Sequence, residues 1–173
     1  MKILIFLHGT IIMHKNAEGK TRSEIVRQIA EEENSVRDFK NYIPIGRASE
    51  KLQKWLSQGA QICYLSALTE NKKARGDEIV GREGLEADKI VLERYSFPIG
   101  EIYHRESGEE YKDVAKRISP LPDIMIEDDC ESIGGKKEMT YYSLDKSLQE
   151  KINLIEVKEF LGIDYLPDRI DLL

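Results

Sequence analysis

Four short apolar runs constrain the fold of this chain more than any other feature of its sequence. They cover residues 2–7, 61–65, 101–103 and 123–126. The first is apolar throughout its length after the lysine, as expected of a strand buried on both faces of a parallel sheet. Helical patterns separate the runs, so the sequence predicts repeated strand–helix–strand units. The predicted fold class is α/β, a three-layer αβα, Rossmann-like arrangement with a mostly parallel central sheet and helices on both faces.

The segments between the runs predict the helices. Thr21 and Glu24 have the spacing of a capping box, which predicts a helix start there. A second helix begins at Ala48 or Ser49 and is closed by Gly59. Further helices are predicted over residues 87–95, 111–118 and 144–150. The aromatic-rich residues 138–142 predict a fifth strand, whereas residues 152–157 fit either an edge strand or the start of a helix.

Composition narrows the class of protein. The 173 residues predict a single domain spanning residues 1–173. The net charge of −6, from 26 basic and 32 acidic residues, argues against a nucleic-acid-binding module. No apolar run reaches the roughly 18–20 residues that cross a bilayer, so no membrane partner is expected. Cys63 and Cys130 are far apart and form no CxxC pair, which predicts a reducing, cytoplasmic setting.

Polar residues follow three of the predicted strands, where ligands bind in parallel sheets. Glu127-Asp128-Asp129 offers hard oxygen ligands that suit Mg²⁺, and its alternative interpretation is an exposed acidic loop. His8 suits general acid–base chemistry or is a packed turn histidine, and Thr10 offers an anion a hydroxyl. Ser66 suits phosphate binding or caps a helix.

Basic residues near the same strand ends extend this pattern. Lys112 and Lys116 lie just before the acidic strand, and Lys112 is nearer the expected crevice. His104 and Arg105 follow the third strand and share the same logic more weakly. The motifs GxGxxG, GxxxxGK[ST], HExxH and GxSxG are absent from the sequence, so dinucleotide, P-loop, zincin and serine-hydrolase chemistry have no support.

In this order the segments resemble the haloacid-dehalogenase-like (HAD) superfamily. Its first motif, DxDGT, corresponds to FLHGT at residues 6–10. Its second, a Ser or Thr after a hydrophobic strand, corresponds to Ser66. Its third, a lysine, corresponds to Lys112 rather than Lys116, and its fourth, a pair of acids, to residues 127–129. The resemblance implies phosphate-binding Thr10 and Ser66, metal-binding Asp128, Asp129 and Glu127, and catalytic His8 and Lys112.

The first motif departs from the family pattern. The family forms an aspartyl-phosphate on the first Asp, where this chain has Phe6, and uses the second Asp as acid and base, where this chain has His8. Phenylalanine is neither a nucleophile nor a metal ligand, so the resemblance implies a degenerate member whose Mg²⁺ site has lost one carboxylate. Residues 11–43 stand where such proteins insert a cap, and they are too few for a large one.

Three functions remain open at this point. The first is a degenerate HAD-like protein that binds a phosphorylated or anionic small ligand, or a protein partner, without aspartyl-phosphate chemistry. The second is a divergent metal-dependent phosphohydrolase that uses His8 or a metal-activated water. The third is an interaction module whose acidic residues 31–33 bind a basic protein.

Overall fold

The computed structural model describes residues 1–68, 84–106 and 108–173. In these residues a five-stranded sheet has the order β5-β4-β1-β6-β7, and every neighbouring pair is parallel. A separate pair, β2 and β3, is antiparallel. The strands are β1 (Lys2–Phe6), β2 (Ile12–Met13), β3 (Ile43–Pro44), β4 (Gln61–Leu65), β5 (Ile102–Tyr103), β6 (Ile124–Asp128) and β7 (Asn153–Val157).

The helices connect these strands where the sequence predicts them. Thr21 caps the first helix through a complete capping box with Glu24, and Gly59 ends the second in a left-handed conformation with φ of 92°. The helices are α1 (Arg22–Ala30), α2 (Ala48–Ser57), α3 (Gly84–Arg94), α4 (Tyr111–Arg117), α5 (Thr140–Ser143) and α6 (Lys146–Gln149).

Two hydrophobic clusters cover the two faces of the sheet. Ile3 and Ile5 of β1 belong to one cluster, with Trp55 of α2. Leu4 of β1 belongs to the other, with Val114 of α4. Because side chains alternate along a strand, β1 must be apolar on both faces, as its sequence is. The predicted three-layer α/β class is therefore confirmed.

One predicted strand is wrong. Residues 138–142 form a tight turn followed by α5, and the fifth strand of the sheet is β7. The backbone N–H groups of Thr140 and Tyr141 donate to the carboxylate of Glu127 at 2.5 and 3.0 Å, which stabilises the start of a helix. Strand β7 instead pairs along β6 over its full length, and this pairing extends β6 to Asp128, two residues beyond the predicted run.

Residues 11–43 form a small excursion from the sheet edge. Strands β2 and β3 pair at its base, with Ile12 opposite Pro44 and Met13 opposite Ile43. Between them lie α1 and three short turns of 3₁₀ helix. The interpretation of this segment as a minimal cap stays a prediction.

No helix among residues 1–68, 84–106 and 108–173 is long and apolar enough to cross a bilayer.

Candidate functional site

The carboxyl ends of the parallel strands meet at one edge of the sheet. His8 follows β1 and Ser66 follows β4, while Asp128 ends β6 and Glu159 follows β7. This edge is where open parallel sheets bind ligands. The structure therefore brings together residues that are more than 100 positions apart in the chain.

Asp88 of α3 links two of the predicted site residues. Its carboxylate is fully buried and accepts the Ser66 hydroxyl through one oxygen. Its other oxygen lies 2.8 Å from Nε2 of His8, whose side chain is 15% exposed. Because an ionised carboxylate can only accept a hydrogen bond, Nε2 of His8 carries the ring proton in this contact. The other ring nitrogen, Nδ1, has no hydrogen-bond partner among the described residues.

Thr10 also donates a hydrogen bond to a carboxylate. It is fully buried, and its hydroxyl donates to Oδ2 of Asp128 at 2.7 Å. Gly9, which lies between His8 and Thr10 in the chain, has a φ of 83°, and a Cβ at this position would lie 3.2 Å from Oδ2 of Asp128. A residue without a side chain is therefore required where β1 meets the acidic group.

Three carboxylates form the group that suits a cation. One oxygen each from Asp128, Asp129 and Glu159 lies within 4.8 Å of the others. The carboxylate of Asp129 forms ion pairs with Lys158 Nζ at 2.9 Å and with the guanidinium of Arg22 at 3.2 Å. Burial raises the pKa of Asp129, but the backbone N–H of Glu159 and these two cations outweigh burial and lower the pKa below its usual value. Asp128 and Glu159 have no ion pair with a basic side chain among the described residues.

Burial dominates the ionisation of the other two carboxyl groups. It raises the pKa of Asp128. It also raises the pKa of Glu159 to about 7, opposed by hydrogen bonds from the Ser132 hydroxyl and backbone at 2.6 and 2.7 Å. Two buried carboxylates without a cation favour either a proton or a bound metal ion.

Glu127 faces a different neighbour from Asp128. Its carboxylate binds the N-terminus of α5, and burial raises its pKa to about 7. It does not belong to the group of three close carboxylates, in which Glu159 stands instead. That Glu127 ligates a metal ion therefore stays a prediction.

Lys112 lies away from these carboxylates. Its ammonium forms an ion pair with Glu110 at the start of α4, and its side chain is 37% exposed. It is not among the described residues that line the cleft beside the strand ends. Its catalytic role stays a prediction, and the structure does not bring it to His8, Ser66 or Asp128.

A cleft of about 390 Å³ opens beside the strand ends. Its aromatic wall includes Phe6, Phe39, Tyr42 and Tyr111. The rings of Phe39 and Tyr42 lie 5.2 Å apart, and the ring of His8 lies within 5.5 Å of both. Asp128 also lines the cleft, which has the size and mixed lining of a small-molecule site.

Two site residues were missed from the sequence. Asp88 lies three residues after Leu85 and three before Val91, so it interrupts the apolar face of α3, and that interruption was the available signal. Glu159 lies two residues beyond β7. Treating residues 152–157 as a strand would have drawn attention to its carboxyl end.

The two cysteines behave as their positions predict. Cys63 is buried in β4, and burial raises the pKa of its thiol to about 12. Burial and then the nearby carboxylate of Asp128 raise the pKa of Cys130. Both thiols are therefore poor nucleophiles.

The acidic residues 31–33 have partners within the chain. Glu32 pairs with Arg37 at 2.9 Å, and Glu33 accepts from Gln28 at 2.9 Å. Glu31 and Glu32 are exposed. Binding of a basic protein by this run stays a prediction.

Comparison with known proteins yields a structural likeness and no sequence relative. No protein-family model and no curated protein sequence matches the chain. A class C acid phosphatase from Bacillus anthracis, in a crystal structure with tungstate bound, matches with a TM-score of 0.51 and 12% identity, covering 93% of this chain and 68% of that one. At this identity the likeness shows the fold alone. Together with the five-stranded parallel sheet, it shows that this chain shares the α/β fold of that phosphatase.

Proposed function

We propose that the cleft binds a small phosphorylated or other anionic ligand without aspartyl-phosphate chemistry, as a degenerate HAD-like protein. The observation that carries this proposal is Phe6, whose ring lines the cleft at the end of β1. The family resemblance places the nucleophilic aspartate at this position. A phenyl ring forms no acyl-phosphate and ligates no metal, and it offers apolar contact instead.

Support for the anionic class comes from the fold and the size of the cleft. The phosphatase with the same fold holds tungstate, a tetrahedral oxyanion like phosphate. A volume of about 390 Å³ admits a small organic molecule and not a folded protein. Arg37 also lines the cleft and supplies positive charge, although Glu32 shares it.

Mg²⁺ fits the donor set at this edge of the sheet. Asp128, Asp129 and Glu159 would hold it, because hard carboxylate oxygens are the ligands that Mg²⁺ prefers. A bound divalent cation supplies positive charge that a phosphate oxygen can share. In this proposal Glu159 replaces Glu127 as the third ligand, and Thr10 orients Asp128 through its hydroxyl.

The test combines a binding measurement with an activity assay. Calorimetry is expected to show Mg²⁺ binding to the wild type and its loss in Asp128→Asn, while Asp113→Asn on α4 serves as the matched control. A broad panel of phosphate monoesters with Mg²⁺ is expected to show no turnover. Turnover that Asp128→Asn abolishes would contradict the proposal, since it would mean that the site is a working phosphatase.

A second candidate function, a divergent phosphohydrolase, is favoured by one contact. The 2.8 Å pair between His8 and Asp88 orients an imidazole at the cleft in the manner of a general base. In this candidate Nδ1 of His8 takes a proton from the water that attacks phosphorus, and Asp88 stabilises the resulting imidazolium. The ester P–O bond breaks as the new P–O bond forms, and the leaving alkoxide takes up the proton from the imidazolium and departs as the alcohol. It predicts phosphatase activity that is lost in both His8→Ala and His8→Gln. Absence of turnover from the wild type rejects it.

A further inference from the structure

Arg105 is a cation at the ligand-binding edge with no acidic partner in the part of the chain that the structure describes. It follows β5 by two residues, so it lies at the carboxyl end of a parallel strand, as His8 and Ser66 do. Its Nε is buried and has no hydrogen-bond partner, and its guanidinium forms no ion pair within residues 1–68, 84–106 and 108–173. A buried donor without an acceptor is destabilising, and a bound anion would supply the missing acceptor.

The guanidinium of Arg105 is held against the aromatic wall of the cleft. Its central carbon lies 4.2 Å from the ring centroid of Tyr111. The ring of Tyr111 in turn meets that of Phe6 edge-on, with centroids 6.2 Å apart, and both rings line the cleft. Contact of a guanidinium with an aromatic ring leaves its N–H donors directed outward in its own plane. Arg105 is itself not among the described residues that line the cleft, so its guanidinium borders the cleft through the ring of Tyr111.

The residues that the family resemblance assigns to the anion are occupied. The Ser66 hydroxyl donates to Asp88, and the Thr10 hydroxyl donates to Asp128. The ammonium of Lys112 is paired with Glu110. Arg105, by contrast, has neither a carboxylate partner nor a hydrogen-bond acceptor for its Nε among the described residues.

We infer that Arg105 binds the oxyanion of the ligand, in a subsite formed by its guanidinium and the rings of Tyr111 and Phe6. The inference rests on the proposed function and gives its anionic ligand a specific anchor. The chemistry of the subsite selects a tetrahedral or planar oxyanion, which accepts two parallel N–H donors, attached to an apolar or aromatic body that packs on the rings.

The test measures binding of inorganic phosphate and of phenyl phosphate by calorimetry, with Mg²⁺ present. Arg105→Gln is expected to weaken binding of both by about tenfold or more, since it removes a charge-assisted pair of hydrogen bonds to the oxyanion. Arg105→Lys keeps the charge but lacks the fork, so its loss is smaller. Arg27→Gln, which makes the same chemical change at an exposed position on α1, is the control and is expected to bind as the wild type does.

The outcomes separate this inference from the proposed function. Wild-type binding that persists unchanged in Arg105→Gln overturns the assignment of Arg105 and leaves the proposed function standing. The same holds if Lys112→Gln weakens binding and Arg105→Gln does not. A wild type that binds neither probe overturns both. If Arg105→Gln fails to fold, Arg105→Lys decides: binding by this variant equal to that of the wild type overturns the bidentate role.

Discussion

Replacement of Asp88 tests the buried network at the centre of the site. Asp88 has no exposed surface, and its carboxylate accepts from both Ser66 and His8. Asp88→Leu keeps a similar volume but leaves a hydroxyl and a ring N–H buried without an acceptor. Breaking a buried pair by removing one partner costs about 3–5 kcal/mol. We therefore expect Asp88→Leu to lower the free energy of unfolding by about that amount.

Asp88→Asn separates the loss of hydrogen bonds from the loss of charge. Its amide has an acceptor for one partner and a donor for the other, because a serine hydroxyl and a neutral imidazole can each act as acceptor. We expect Asp88→Asn to cost about 1–2 kcal/mol, clearly less than Asp88→Leu. Urea unfolding followed by the fluorescence of Trp55, the single and fully buried tryptophan, measures both.

Glu86 provides the control for these variants on the same helix. It is exposed, and its one ion pair with Lys89 is long at 3.8 Å. Glu86→Leu and Glu86→Gln should change stability by no more than about 0.5 kcal/mol. The reasoning is refuted if Asp88→Leu costs less than about 1 kcal/mol at an unchanged urea dependence, or if Asp88→Leu and Asp88→Asn cost the same.

Three further predictions concern pH, activity and the contact of Trp55 with the C-terminal segment at Pro167. Burial raises the pKa of Glu127 and of Glu159 from 4.5 to about 7, so between these pH values the native state binds more protons than the unfolded chain. In EDTA, the free energy of unfolding should therefore rise as pH falls from about 7 to about 4.5, by up to about 3 kcal/mol per group. Calorimetric unfolding at stepped pH measures this, and a free energy of unfolding that falls over the same range would contradict it. The triple variant Phe6→Asp, His8→Asp, Asp88→Asn should hydrolyse para-nitrophenyl phosphate in the presence of Mg²⁺. Asp88→Asn is included because two carboxylates would otherwise meet where His8 and Asp88 now pair. The double variant His8→Asp, Asp88→Asn is the control and should be inactive. Trp55→Phe removes the 2.9 Å hydrogen bond from the indole to the carbonyl of Pro167 and leaves a cavity, so urea unfolding followed by circular dichroism should show a loss of about 1–3 kcal/mol. An unchanged midpoint would show that this contact with Pro167 does not stabilise the fold.

Local pattern was sufficient for most of the secondary structure. The apolar run at residues 61–65 is β4, and the capping box at Thr21 begins α1. These elements were predictable because burial on both faces of a strand and the capping of a helix each depend on residues that are close together in the sequence. Residues 138–142 were not, because their helical start depends on the carboxylate of Glu127, which lies in another element.

The candidate site was predictable only where a strand end carries it. His8, Ser66 and Asp128 do lie at one edge of the sheet, as parallel strands require. Lys112 is not among the described residues that line the cleft, and its ammonium pairs with Glu110, so its catalytic role stays a prediction. The carboxylate that lies close to Asp128 and Asp129 is that of Glu159 and not that of Glu127. Side chains alternate along β6, so Glu127 points away from Asp128 and binds the start of α5.

By itself the sequence determined the α/β class, the strands β1, β4 and β6, and the presence of a phenylalanine, Phe6, at the end of β1. Each of these is a property of neighbouring residues. Only the tertiary structure decided the contacts of the site: that Asp88 holds His8 and Ser66, that Glu159 joins Asp128 and Asp129, and that Arg105 stacks on Tyr111 without an acidic partner among the described residues. These depend on which side chains meet across different elements, and hydrogen bonding and charge pairing between distant residues leave no pattern in a single sequence.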